Sequence, residues 1–101
     1  MPRTSSRLTR LVADRRDEIL AIAAQHGASN VRLIGSVARG EDQAASDIDF
    51  VVRVEPGRSV FDLARLQRDL EALLGTEVDV VSEGGLVEGD EDGLLADAVL
   101  V

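Results

Sequence analysis

Asp47 and Asp49 stand one residue apart, ten residues after the pair Gly35-Ser36. From Asp47 to Val54 apolar residues alternate. Ile48, Phe50, Val52 and Val54 would share one face of a strand, with Asp47 and Asp49 on the other. At ~3.3 Å per residue the two carboxylates stand ~6.6 Å apart and lean the same way. Like charges on one strand face repel unless something cationic sits between them, and Asp is a poor strand former. Such a pair suits two hard cations held ~3.5–4 Å apart, which take oxygen ligands from carboxylates and from a nucleoside triphosphate. The plainer alternative is that both acids are the solvent face of an edge strand.

The elements around the acids argue against that alternative. Val31-Arg32-Leu33-Ile34 is a short strand candidate, and Val37-Ala38-Arg39 after Gly35-Ser36 can begin a helix. Strand, tight turn and helix start is the order in which free backbone N–H groups and a positive dipole end can hold a phosphate. A third acid, Asp79, lies in another strand candidate, Thr76-Glu77-Val78-Asp79-Val80-Val81.

The stretch GSVARGEDQAASDIDFVV resembles the signature of the DNA polymerase beta-like nucleotidyltransferase superfamily: Gly-Ser, ten residues, Asp-x-Asp. The chain's length resembles that of the minimal nucleotidyltransferases, in which the catalytic core lacks the helical substrate domain of larger relatives. The likeness runs from about Leu8 to the C-terminus, its specific part being residues 33–52 and Asp79. It implies that Gly35 and Ser36 hold the triphosphate and that Asp47 and Asp49 hold divalent metal, two Mg²⁺ ions. Asp79 would be the third carboxylate, as base or metal ligand. Arg39 matches an arginine common in minimal members and would face the phosphates or a partner. The resemblance further implies an antitoxin encoded beside a HEPN-type ribonuclease, acting by transfer of AMP from ATP to a tyrosine of that toxin.

A chain of 101 residues is expected to be one domain, residues 1–101, burying roughly 60–70% of its unfolded surface. Aromatics make up only 2%, so the core must be Val, Leu, Ile and Ala. There is no Cys and a single His, which leaves no disulfide framework and no set of nitrogen and sulfur ligands for a transition metal. The apolar runs are too short to span a bilayer and the Arg-rich start has no apolar h-region, so a soluble cytoplasmic protein is expected. Net charge is -8 and every cation is Arg. That balance opposes a broad nucleic-acid face and favours encounter with a cationic partner. Self-association stays open.

Apolar spacing predicts a helix from about Ser6 to Gln25, stopped at Gly27, with Arg15 and Arg16 snorkelling at the edge of its stripe. His26 sits at its end, where the dipole favours a cation. Glu55-Pro56-Gly57-Arg58 reads as a turn. Ser59 and Asp62 resemble a capping box for an amphipathic helix ended by Gly75. Residues 82–93 form an acidic, Gly-rich loop, and Leu94 to Val101 is apolar enough to dock on the core. The expected fold class is α/β (α+β), a small mixed sheet with helices on one face and the metal site on the other. Three functions fit: an Mg²⁺-dependent nucleotidyltransferase, a non-catalytic acidic antitoxin acting by binding, and a small-molecule nucleotidyltransferase of the antibiotic-modifying type.

Overall fold

The computed structural model of the chain describes residues 7–38, 47–83 and 98–101. Helices α1 (Arg7–Asp14) and α2 (Arg16–Gln25) lead into strand β1 (Ala28–Ile34) and the short helix α3 (Gly35–Ala38). Then follow β2 (Ile48–Val54), α4 (Val60–Leu74), β3 (Val78–Ser82) and β4 (Val99–Leu100). The strands form one mixed sheet in the order β3-β2-β1-β4. β1 runs antiparallel to β2 and β4, and β2 runs parallel to β3. The mixed α/β architecture expected from the sequence is present, but β2 is interior, so its acids are not the face of an edge strand.

The alternating pattern of β2 builds the core. Ile48, Phe50 and Val52 are fully buried and meet Val31 and Leu33 of β1 and Val78 and Val80 of β3. Leu8, Val12, Ile19, Ala23, Leu66, Leu70 and Leu74 cover that face from the helices. Burying such a side chain contributes about 1.5–3 kcal/mol each, so this layer holds the sheet that carries the acids.

The expected single N-terminal helix is two. Arg15 has left the helical region (φ -108°, ψ 18°), and its N–H still closes α1 on Leu11 and Val12 while its C=O opens α2 to Ile19. The break falls between Val12, the last buried residue of α1, and Ile19, the first of α2. It lets α1 turn towards α3 while α2 lies on β1. Arg15 and Arg16 are about half exposed and pair with Glu18 and Asp17, their charged ends at the surface.

Other local expectations match. Gly27 and Gly75 adopt φ +73° and +71°, which only glycine takes readily, and end α2 and α4. Ser59 and Asp62 close a capping box: Phe61 N–H donates to Ser59 Oγ, and Ser59 N–H donates to Asp62 Oδ2 at 2.9 Å. That backbone bond, with Arg58 and Arg65 nearby, holds the Asp62 carboxyl below its usual range. His26 pairs with Asp69 at 2.8 Å, tying the end of α2 to α4. The residues before Arg7, residues 84–93 of the acidic loop and residues 94–97 lie outside the described ones. Val99 and Leu100 add a strand to β1, and Val101 packs against the core. No helix among the described residues is long and apolar enough to cross a membrane.

Candidate active site

On the sheet face away from the helices, the register sets Asp49 of β2 directly beside Asp79 of β3 and across from Ile34 of β1. Neighbouring strands lie ~4.8 Å apart, so the two carboxylates meet at close range. Asp47 is exposed, immediately before β2, near enough for its charge to act on Asp49. Asp49 is half-buried and Asp79 is exposed.

Gly35 joins the turn to the acids. Its φ is +79°, and a methyl group placed on it would lie 2.9 Å from Asp49 Oδ2. The left-handed backbone favours glycine here, and any side chain in its place would have to displace the Asp49 carboxylate. Ser36 is the second residue of α3. Arg39 lies outside the described residues. A cleft of about 310 Å³ opens here, and Ile34, Gly35, Asp49, Asp79 and Val81 are among the residues that line it. A larger groove of about 390 Å³ beside Arg7, Arg10, Leu11 and Asp14 brings no carboxylate pair together among the described residues, so the smaller cleft is the candidate site.

Crowding of the acids has an electrostatic consequence. Burial, then the charges of Asp79 and Asp47 and a hydrogen bond with Asp79, push the Asp49 carboxyl up to about 6. A cation between the acids would remove the repulsion. Among the described residues no three metal-binding side chains enclose a cation by themselves. That suits Mg²⁺, which is usually held by one or two carboxylates plus water and substrate phosphates instead of a protein cage. The donor set, all hard oxygen, fits the metal that the sequence implies.

The raised pKa predicts a pH dependence. Between about pH 4 and 6 the folded protein keeps the Asp49 proton while the unfolded chain has lost it. Asp49 thus supports the fold fully below pH 4, and that support is lost as pH rises through 6. With Asp49 partly exposed, the loss should be roughly 1–2 kcal/mol. Urea unfolding should find Asp49→Asn more stable than the wild type by about that amount at pH 8, and the two nearly equal at pH 4. An equal difference at both pH values would place the effect elsewhere.

Two features of the site were not anticipated. Thr9 of α1 donates to the Val37 carbonyl at 2.7 Å, anchoring α3 and with it the Gly35-Ser36 turn. Arg32, Val51 and Val81 form the next row of the sheet, and Arg32 ion-pairs with Glu83, joining β1 to the end of β3 across β2. Both are contacts between residues far apart in sequence, which carry no local signal.

Comparisons with known proteins agree with this fold. Residues 16–99 match the family model described as "Nucleotidyltransferase domain". A Methanocaldococcus jannaschii protein, named as a protein adenylyltransferase, is 39% identical over 82 residues, spanning 81% of this chain and 88% of its own. The protein adenylyltransferase MntA of Thermococcus cleftensis is 36% identical over 75 residues, 74% of this chain and 76% of its own. A solved minimal nucleotidyltransferase superposes with a TM-score of 0.81 at 44% identity, covering 92% of this chain and 95% of that one. A toxin–antitoxin structure solved with AMP-PNP shares the fold at a TM-score of 0.58 and 24% identity, covering 65% of this chain and 55% of that one. The chain belongs to the nucleotidyltransferase domain family, and it is a nucleotidyltransferase.

Proposed function

We propose that the chain transfers AMP from ATP to a protein hydroxyl, as the antitoxin of a HEPN-type ribonuclease toxin in the cytoplasm. The observation that supports this most is the closeness of Gly35 to the Asp49 carboxylate, in a cleft shared with Asp79, which sets the turn proposed for the triphosphate beside the acids. The names of the two curated relatives support AMP as the transferred group and protein as the acceptor. The toxin partner is the one that the sequence resemblance implies.

In this reading the Gly35-Ser36 turn receives the triphosphate, with Arg39 facing its phosphates or the partner. Asp47 and Asp49 would hold the divalent cations, two Mg²⁺ ions, with Asp79 beside them as base or as a further ligand. When bound there, Mg²⁺ neutralises the triphosphate and eases ionisation of the acceptor hydroxyl. The acceptor oxygen attacks the α-phosphorus, its bond to pyrophosphate breaks, and pyrophosphate leaves with the electron pair. Asp79 takes the hydroxyl proton and passes it to water. The chain's task is positioning and charge neutralisation, which a small open face can supply.

Incubating the purified pair with ATP and Mg²⁺ should add one or more AMP units to the toxin, read by intact mass, and the addition should need Ser36, Asp47 and Asp49. The chain contains no Tyr, so tyrosine labelling of the antitoxin itself cannot confuse the result. Aminoglycosides and free sugars should receive little. Neutralisation with no mass change, equally good in an Asp47→Asn, Asp49→Asn double variant, would favour the acidic binding module.

A further inference from the structure

We propose that Gln67 and Glu71, one turn apart on α4, are positioning residues for Asp79 because they stand in for a missing strand at the outer edge of β3. The claim rests on the reading of Asp79 as the base or metal ligand.

Among the described residues β3 is the outermost strand on its side and pairs only with β2. Ile48 N–H donates to the Glu77 carbonyl at 3.1 Å, and Asp49 lies opposite Asp79. In a parallel ladder with this register, the peptide groups of Glu77, Asp79 and Val81 face β2, and the N–H groups of Val78 and Val80 face outwards. Those two donors would normally invite another strand. Here Val78 N–H donates to Glu71 Oε2 at 3.2 Å and Val80 N–H to Gln67 Oε1 at 3.1 Å, both partly buried. The two accepted amides are the immediate neighbours of Asp79.

The arrangement leaves Asp79 little freedom. Val78 and Val80 are 1% and 8% exposed and fix which face of β3 points inward. β2 holds one edge of the strand and α4 holds the other. The helix is itself pinned, by the Ser59–Asp62 capping box and by Gly75, whose N–H donates to the Glu71 carbonyl at 2.8 Å. Gln67 and Glu71 therefore transmit the setting of a capped helix to the strand that aims the Asp79 carboxylate at Asp49. A misplacement of about 1 Å at a reacting group can cost up to 10²-fold, so two such bonds matter to the reaction without touching substrate.

The chemistry separates acceptor from shape. Gln67→Glu and Glu71→Gln keep an oxygen acceptor; Gln67→Leu and Glu71→Leu remove it at similar volume, with Gln67→Ala as a milder version should a Leu variant not fold. In the acceptor-less variants, hydrogen exchange by NMR should quicken at the Val78 and Val80 amides. Affinity for Mg·ATP should stay within a few-fold. Pyrophosphate release from Mg·ATP in the presence of the toxin should fall roughly 10-fold. The acceptor-keeping variants should restore most of that rate. In an Asp79→Asn background the Leu substitutions should cost nothing further, because there is no longer a base to aim. Equal losses in both backgrounds, or unchanged exchange at Val78 and Val80, overturns the positioning role and leaves the base reading intact. Full activity of Asp79→Asn alone overturns the base reading, and the positioning claim with it.

Discussion

ATP with Mg²⁺ should raise the melting temperature of the wild-type protein by on the order of 10 °C, and the Asp47→Asn, Asp49→Asn double variant should lose that gain. A ligand at a hundredfold excess over its Kd stabilises by about 2.7 kcal/mol, and a domain this size shifts by roughly 4–8 °C per kcal/mol. With EDTA replacing Mg²⁺ the wild-type gain should shrink to a small fraction, because the carboxylates then meet the triphosphate charge without cations between them. The free double variant should melt higher than the free wild type at neutral pH, since the crowding that pushes Asp49 up to about 6 is gone. Loss of binding joined to a gain in intrinsic stability separates a ligand site from a structural one, where both would fall together. If the Mg·ATP gain survives intact in the double variant, the nucleotide sits elsewhere.

The site was legible in the sequence because its residues are tied to local patterns. The alternation from Ile48 to Val52 sets which face Asp49 takes, and Gly35 follows the apolar end of β1. The capping box at Ser59 and the stops at Gly27 and Gly75 are equally local, since a side chain within three residues or a positive φ decides them. What escaped depends on chain segments that meet only in the fold. The break at Arg15 serves two different packing partners, α3 for α1 and β1 for α2. Nothing in the run Arg15-Arg16-Asp17-Glu18 marks it, because each of those residues is acceptable within a helix. Asn30 has φ +50° and lies where the β1–β2 register shifts between Ser29 and Arg32, and a single Asn near a strand start does not by itself announce a bulge. Val51 is the instructive case. Alternation puts it on the face of the acids, yet it is fully buried, so that face is not uniformly open. Gln67 and Glu71 read as the polar side of an amphipathic helix, and only the sheet order shows that they face a strand edge.

Asp79→Asn should separate binding from chemistry. The substitution keeps shape and removes the negative charge and the proton-accepting oxygen. Asp79 lies beside Asp49 but is exposed at the cleft, while the contact with the Gly35 turn belongs to Asp49. The triphosphate should therefore still find its turn and the Asp47–Asp49 pair, and Mg·ATP affinity should change by no more than a few-fold. Transfer to the toxin should fall by 10²–10⁴-fold, the usual range for a lost general base, with KM for ATP nearly constant. The pH profile supplies a second reading. With Mg·ATP well below its KM, where the rate reports the free enzyme, wild-type transfer should rise as pH climbs through about 6, where Asp49 surrenders its proton and the carboxylates can all bear charge. In Asp79→Asn the neighbouring charge that helps raise Asp49 is gone, so the residual activity should reach its plateau at lower pH. Stopped-flow or quench measurements of pyrophosphate release across pH 5–8 would report both effects. An Asp79→Asn protein with wild-type turnover, or with an unshifted profile, would make Asp79 an ordinary acid on an edge strand and move the proton to another acceptor.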